Sequence, residues 1–112
     1  MRYKLIVKAD PKPGEEAEFN RWYDAHHIPD VMQVEGFVSA ERFVFAKEQM
    51  IDASPSHQYI AIYDLETDDL AKTLEAFRAQ APKMVDSSAI DRANSTAEIF
   101  ALRVHEPNAR SL

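Results

Sequence analysis

Three observations predict an α+β fold with the element order β-α-β-β-α-β for this chain. Period-two apolar alternation recurs in four separated stretches, beginning near Tyr3, Phe37, His57 and Thr96. Two stretches between them, from about Glu15 to His27 and across "LAKTLEAFRAQ", carry apolar residues at helical spacing. Proline and glycine punctuate the joints, in "DPKPG", at Gly36 and at Pro82. That order builds a four-stranded antiparallel sheet with both main helices on one face, the ferredoxin-like arrangement.

Each element has its own reason. Tyr3, Leu5 and Val7 alternate with Lys4, Ile6 and Lys8 as a first strand. Glu15 and Glu16 then open a helix, where acidic side chains favour the positive end of the dipole. Pro29 lacks an N–H and disfavours helical geometry at Ile28, so a kink or stop is expected there. Pro29 is welcome at the start of a short second turn, "PDVMQV", which Gly36 terminates. "FVSAERFVFAK", Phe37 to Lys47, reads as the second strand, "EQMIDASPS" as a loop, and "HQYIAIYDLE" as the third strand. Asp68 and Asp69 precede the second helix, in which Leu70, Leu74 and Phe77 share a face. "KMVDSSAIDRANS" reads as partly helical and "TAEIFALRVHE" as the last strand. On this reading residues 1–106 form one domain, and "PNARSL", residues 107–112, is a flexible tail.

Composition narrows the function classes. The chain has 112 residues, 46 % apolar and 29 % charged, which suits one globular domain. Its net charge of −6, with scattered basic residues, argues against nucleic acid or an anionic membrane as partner. Without cysteine there is no disulfide, thiol catalysis or thiolate metal site. No apolar run approaches membrane-spanning length and "MRYKLIVKAD" lacks a signal-peptide core, so a cytoplasmic location is expected.

Several strands are apolar on both alternating sets, as with Ile60 and Ile62 against Tyr59, Ala61 and Tyr63. A sheet with water on one side should carry one polar set. The helices cover one face, so a second copy of the chain is expected on the other, as a symmetric homodimer.

The stretch "FNRWYDAHHIPDVMQVEGFVSAERF", Phe19 to Phe43, follows a first strand and a "PG" turn. It resembles the dimeric α+β barrel superfamily in its EthD-like branch. That group has a helix with a Trp/Tyr pair, a His-Ile-Pro or His-Leu-Pro step, and a Gly-Phe opening of the second strand. The resemblance implies the dimeric barrel. It leaves activity open among cofactor-free monooxygenases, polyketide cyclases, lactone isomerases, dehydratases, haem-degrading enzymes and proteins with no assigned reaction. Alignment on the His-Ile-Pro step makes His27 the matching histidine, with His26 at a variable position.

Imidazole titrates near neutral pH and is the usual general acid or base. Asp24 and Asp30 are local candidates to orient His27. Tyr23 or Tyr63 can polarise a carbonyl, and Arg42 can hold a carboxylate or enolate. Trp22, Phe43 and Tyr63 supply aromatic surface for an apolar substrate. These groups suit proton abstraction next to a carbonyl in an aromatic or alicyclic substrate, by lyase, isomerase, dehydratase or monooxygenase chemistry, with no metal and no organic cofactor. A bland reading stands beside each role. His27 can serve only to bond a carbonyl freed by Pro29, Trp22 can be core, Asp24 a solvated helix residue and Arg42 half of a surface ion pair. At the level of the whole protein, the alternatives are a non-catalytic small-molecule-binding or accessory protein, and a haem-binding enzyme.

Overall fold

The computed structural model describes residues 1–106; the stretch expected as a flexible tail lies outside the described residues. Strand β1 (Arg2–Lys8) leads into helix α1 (Glu16–Trp22), a wider turn of helix over Tyr23–His27, and a final turn α2 (Ile28–Val31). Strands β2 (Phe37–Val44) and β3 (Tyr59–Glu66) follow, then α3 (Leu70–Gln80) and β4 (Thr96–Ala101). The four strands are antiparallel in the order β2-β3-β1-β4. The fold is α+β and ferredoxin-like, as the apolar periodicity predicts.

The register sorts the side chains into two faces. Tyr3, Leu5 and Val7 lie level with Leu65, Tyr63 and Ala61 on one side and with Ala101, Ile99 and Ala97 on the other. The helices cover this inner face, where Phe19, Trp22, Tyr23, Val31 and Val34 bury against Ala61, Tyr63 and Leu65. Truncating Phe19, which is fully buried at the centre of this layer, should cost about 3–5 kcal/mol. The outer face carries Ile6, Ile60, Ile62, Phe43 and Phe100 among charged neighbours such as Lys4 and Asp64, which are bonded to each other. A bulge between Phe37 and Ser39 leaves Val38 exposed beside that face. No helix among the described residues is long and apolar enough to cross a membrane.

Several element boundaries differ from the sequence reading, and the third strand begins at Tyr59, two residues after His57. The second strand ends at Val44 and the last at Ala101, so both are shorter than their apolar stretches. In each case one further backbone bond, from Phe45 N–H to Gln58 O and from Leu102 N–H to Arg2 O, both at 2.8 Å, follows the strand end, and the apolar alternation then continues without a ladder. The 83–95 stretch is largely irregular, with one 3₁₀ turn at Arg92–Asn94. Gly36 does not end the first helical run, which stops at Val31 with Met32 as its cap; it sits in the turn that enters β2, at φ +99°, and a Cβ there would sit 3.0 Å from Thr73 Cγ2.

Candidate active site

The site begins with what Pro29 does to the first helix. The chain does not break. Ile28 stays helical at φ −58° and ψ −51°, and its N–H donates to Tyr23 O, five residues back. This is a π turn. Widening is a common answer to a residue that cannot donate, and the ordinary register resumes when Met32 N–H reaches Ile28 O at 3.0 Å. The widened turn brings positions five apart onto one face. The rings of Trp22 and His27 stack at 4.7 Å and 24°, a contact that a regular α-helix would separate by about 140°. Tyr23 meets the same imidazole edge-on at 5.1 Å.

Trp22 is itself pinned, because its indole N–H donates to Val85 O at 2.8 Å. Asp30 accepts from Val85 N–H at 2.9 Å. Both backbone groups of Val85 are therefore tied to the first helical run. This fixes the irregular 83–95 stretch as the far wall of a cleft of ≈ 840 Å³ between helices and sheet. Its floor includes Leu5, Val7 and Ile99, its walls Phe77 and Met84, and His27 looks in beside Trp22 and Tyr23.

His27 Nδ1 is buried with no hydrogen-bond partner, which leaves Nε2 as the nitrogen that can reach the cleft. Burial, reinforced by the guanidinium of Arg92, pushes the imidazole pKa down to about 4. The ring is thus neutral at pH 7 and able to accept a proton. The Tyr63 hydroxyl is also buried without a well-formed hydrogen bond, and burial beside the Tyr23 phenol drives its pKa far up. Burial raises Tyr23 as well. Both phenols stay protonated, so they can donate but not act as bases.

Arg42 lies on the far side of Tyr23. Its guanidinium sits 4.3 Å from the Tyr23 ring centre and 5.5 Å from those of Phe19 and Tyr59. It donates to Asp24 Oδ1 at 2.8 Å and to Asn20 Oδ1 at 2.9 Å, and its side chain is only 14 % exposed.

The sequence-predicted residues therefore divide. His27, Trp22 and Tyr23 meet in the cleft. Asp24 does not orient His27; its carboxylate is turned to Arg42, and Asp30 is turned to Val85. Arg42 does not line the cleft, because its donors are already engaged on the other side of the Tyr23 ring. Phe43 points to the outer face, one residue out of phase with Arg42 along β2. Tyr63 is buried beneath the cleft and not on its surface. His26, adjacent to His27, does not line it either. Sequence reasoning missed Arg92, Arg78 and Asp86, which do line it, and Asn20, which holds Arg42. Nothing in their spacing marks them, since different elements bring them together.

Helix run, π turn and sheet define a class: a ferredoxin-like α+β protein with an apolar cleft under its helices. Its structural neighbours include an EthD-family protein and SnoaB. An EthD-family (ethyl tert-butyl ether D) protein from Bacillus halodurans superposes with a TM-score of 0.61 at 16 % identity, covering 92 % of this chain and 100 % of its own. A candidate monooxygenase from Shewanella loihica gives 0.59 at 13 % identity, covering 93 % of this chain and 96 % of its own. A point mutant of SnoaB, a cofactor-independent oxygenase from Streptomyces nogalater, gives 0.57 at 15 % identity, covering 95 % of this chain and 97 % of its own. At such identities the likeness carries the fold. No protein-family model matches the sequence, and no curated protein sequence matches it.

Proposed function

We propose that this chain is a small enzyme in which neutral His27 removes a proton from an apolar, carbonyl-bearing substrate held in the cleft. The single observation that carries this reading is the unpaired, partly buried imidazole stacked on Trp22 at the wall of an apolar cavity. A buried polar atom with no partner costs free energy, so its retention fits a functional use. In the proposed step Nε2 takes a proton from the carbon next to the carbonyl. The C–H electron pair becomes the enolate, and an imidazolium–enolate pair results. Such an enolate can isomerise, eliminate a leaving group, or meet dioxygen supplied from solution as oxidant. The oxygenases among the neighbours favour the last course. In all three, Trp22 is the platform under the substrate and Tyr23 sets the ring angle of His27. Arg42, with Asp24 and Asn20, holds Tyr23 in turn.

The proton step can be tested without knowing the natural substrate. Deuterium exchange into 2-tetralone, a bicyclic ketone with acidic C–H bonds, is followed by NMR in D₂O. The protein should accelerate exchange, and His27→Ala should lose most of that acceleration, about 10²–10⁴-fold. Equal exchange by the two proteins would remove His27 from the mechanism. A second reading, a binding protein without chemistry, draws support from the lack of any hydrogen-bond partner on His27 Nδ1. It expects no exchange from either protein.

The proposed assembly is a homodimer closed over the outer sheet face, where Phe100 is 54 % and Val38 50 % exposed. Sedimentation should give twice the chain mass, and Phe100→Glu should shift the protein towards single subunits.

A further inference from the structure

The cleft is apolar except at its rim, and the charges there are unbalanced. Arg78 and Arg92 stand against one carboxylate, Asp86, in a chain whose net charge is −6. Arg92 differs from an ordinary surface arginine in how its backbone is held. Asp91 N–H donates to Asp10 O at 2.9 Å, Ser95 Oγ donates to Asp91 O at 2.9 Å, and Asn94 O is bonded by the His57 ring. The turn that carries Arg92 is thus fixed from both sides. Its side chain is nonetheless 60 % exposed, and its partner Asp86 is more exposed still. An ion pair this open contributes little, so an incoming anion can take the place of Asp86 at small cost. A planar guanidinium on a rigid base is suited to bidentate capture of an oxyanion.

We infer that Arg92, supported by Arg78 at the same rim, is the recognition point for an acidic group on the ligand. The cleft then takes a flat apolar acid, with its body against Trp22 and His27 and its carboxylate, or a comparable oxyanion, at the guanidinium. This rests on the cleft being the ligand site, as proposed above, and it names the substrate class of that site. It also assigns a role to the guanidinium that shares the cleft with His27: it selects an anionic substrate that offsets its own charge.

Two fluorescent probes with the same aromatic body test this. One is 8-anilinonaphthalene-1-sulfonate and the other is neutral N-phenyl-1-naphthylamine. Trp22, the one tryptophan of the chain, lies in the cleft and reports binding by its quenching. The wild-type protein should prefer the sulfonate by roughly five-fold or more, on the scale of a partly screened charge-assisted contact. Arg92→Met should abolish that preference and leave the neutral probe unchanged, and Arg92→Lys should restore part of it. The outer-face variant Phe100→Ser should leave the preference for the sulfonate in place, whatever it does to the assembly, and a lost preference there would overturn the inference by placing the sulfonate elsewhere. Equal quenching by both probes in the wild type, or a preference that survives Arg92→Met, overturns the role of Arg92 while the cleft stands as a ligand site. No quenching by either probe overturns both.

Discussion

Two polar groups flank the Tyr23 ring, and they are treated in opposite ways. On one side Arg42 is surrounded, with two oxygen acceptors and three aromatic rings, and only its Nε lacks a partner. On the other side His27 has aromatic neighbours and no hydrogen bond to Nδ1. Desolvation is offset at Arg42 by charge and hydrogen bonding, and at His27 it is not. The first arrangement holds structure. The second leaves a group that can gain by meeting a ligand or a proton.

Mutation should separate the two sides. The largest effect on chemistry is the loss of proton exchange in His27→Ala, with the melting temperature moving only a few degrees. Next, Arg42→Leu should lower stability by roughly 3 kcal/mol in urea denaturation, since Asp24 and Asn20 lose their donor and three rings lose their filling. If Arg42→Leu leaves stability intact and His27→Ala unfolds the chain, the contrast is inverted.

The pH dependence sharpens the same point. An unfolded histidine titrates near 6.5, and folding lowers His27 to about 4. Between those values the unfolded state binds more protons, so stability must fall as pH drops through that window. From pH 7.5 to 5 the loss from this group is about 2 kcal/mol, and a His27→Gln variant should lack it. The acid limb of His27-dependent exchange should likewise lie near pH 4 and not 6.5. The smallest expected effect belongs to Pro29→Ala, which restores a donor for Ala25 O and lets the helix tighten. Stability should change by less than about 1 kcal/mol, yet the Trp22–His27 stack should loosen and the NMR titration of His27 should move upward.

Much of this was legible in the residues. Four alternating stretches and two helical ones suffice for the topology, because each period reports directly which side of an element meets apolar surface. Pro29 marks a backbone fault beside both His26 and His27, and His27 could be singled out of the pair only through the resemblance of its His-Ile-Pro step to a known group. The π turn itself was not legible. A proline at that position can stop, kink or widen a helix, and the choice depends on what packs against the turn. Asp24 was misread as a partner of His27 because helical spacing allows the contact, whereas Arg42 arrives from a strand 18 residues away.

What the sequence determined by itself is the order of elements, the two faces of each strand and the presence of one imidazole near a backbone fault. Those follow from short-range periodicity and from the missing N–H of a proline. What the tertiary structure decided is which nitrogen, which ring and which charge surround that imidazole. Arg92 and Asp86 share a cleft with His27 because Val85, 63 residues beyond Trp22, is clamped to the first helical run, and no local pattern records a contact made across such a separation.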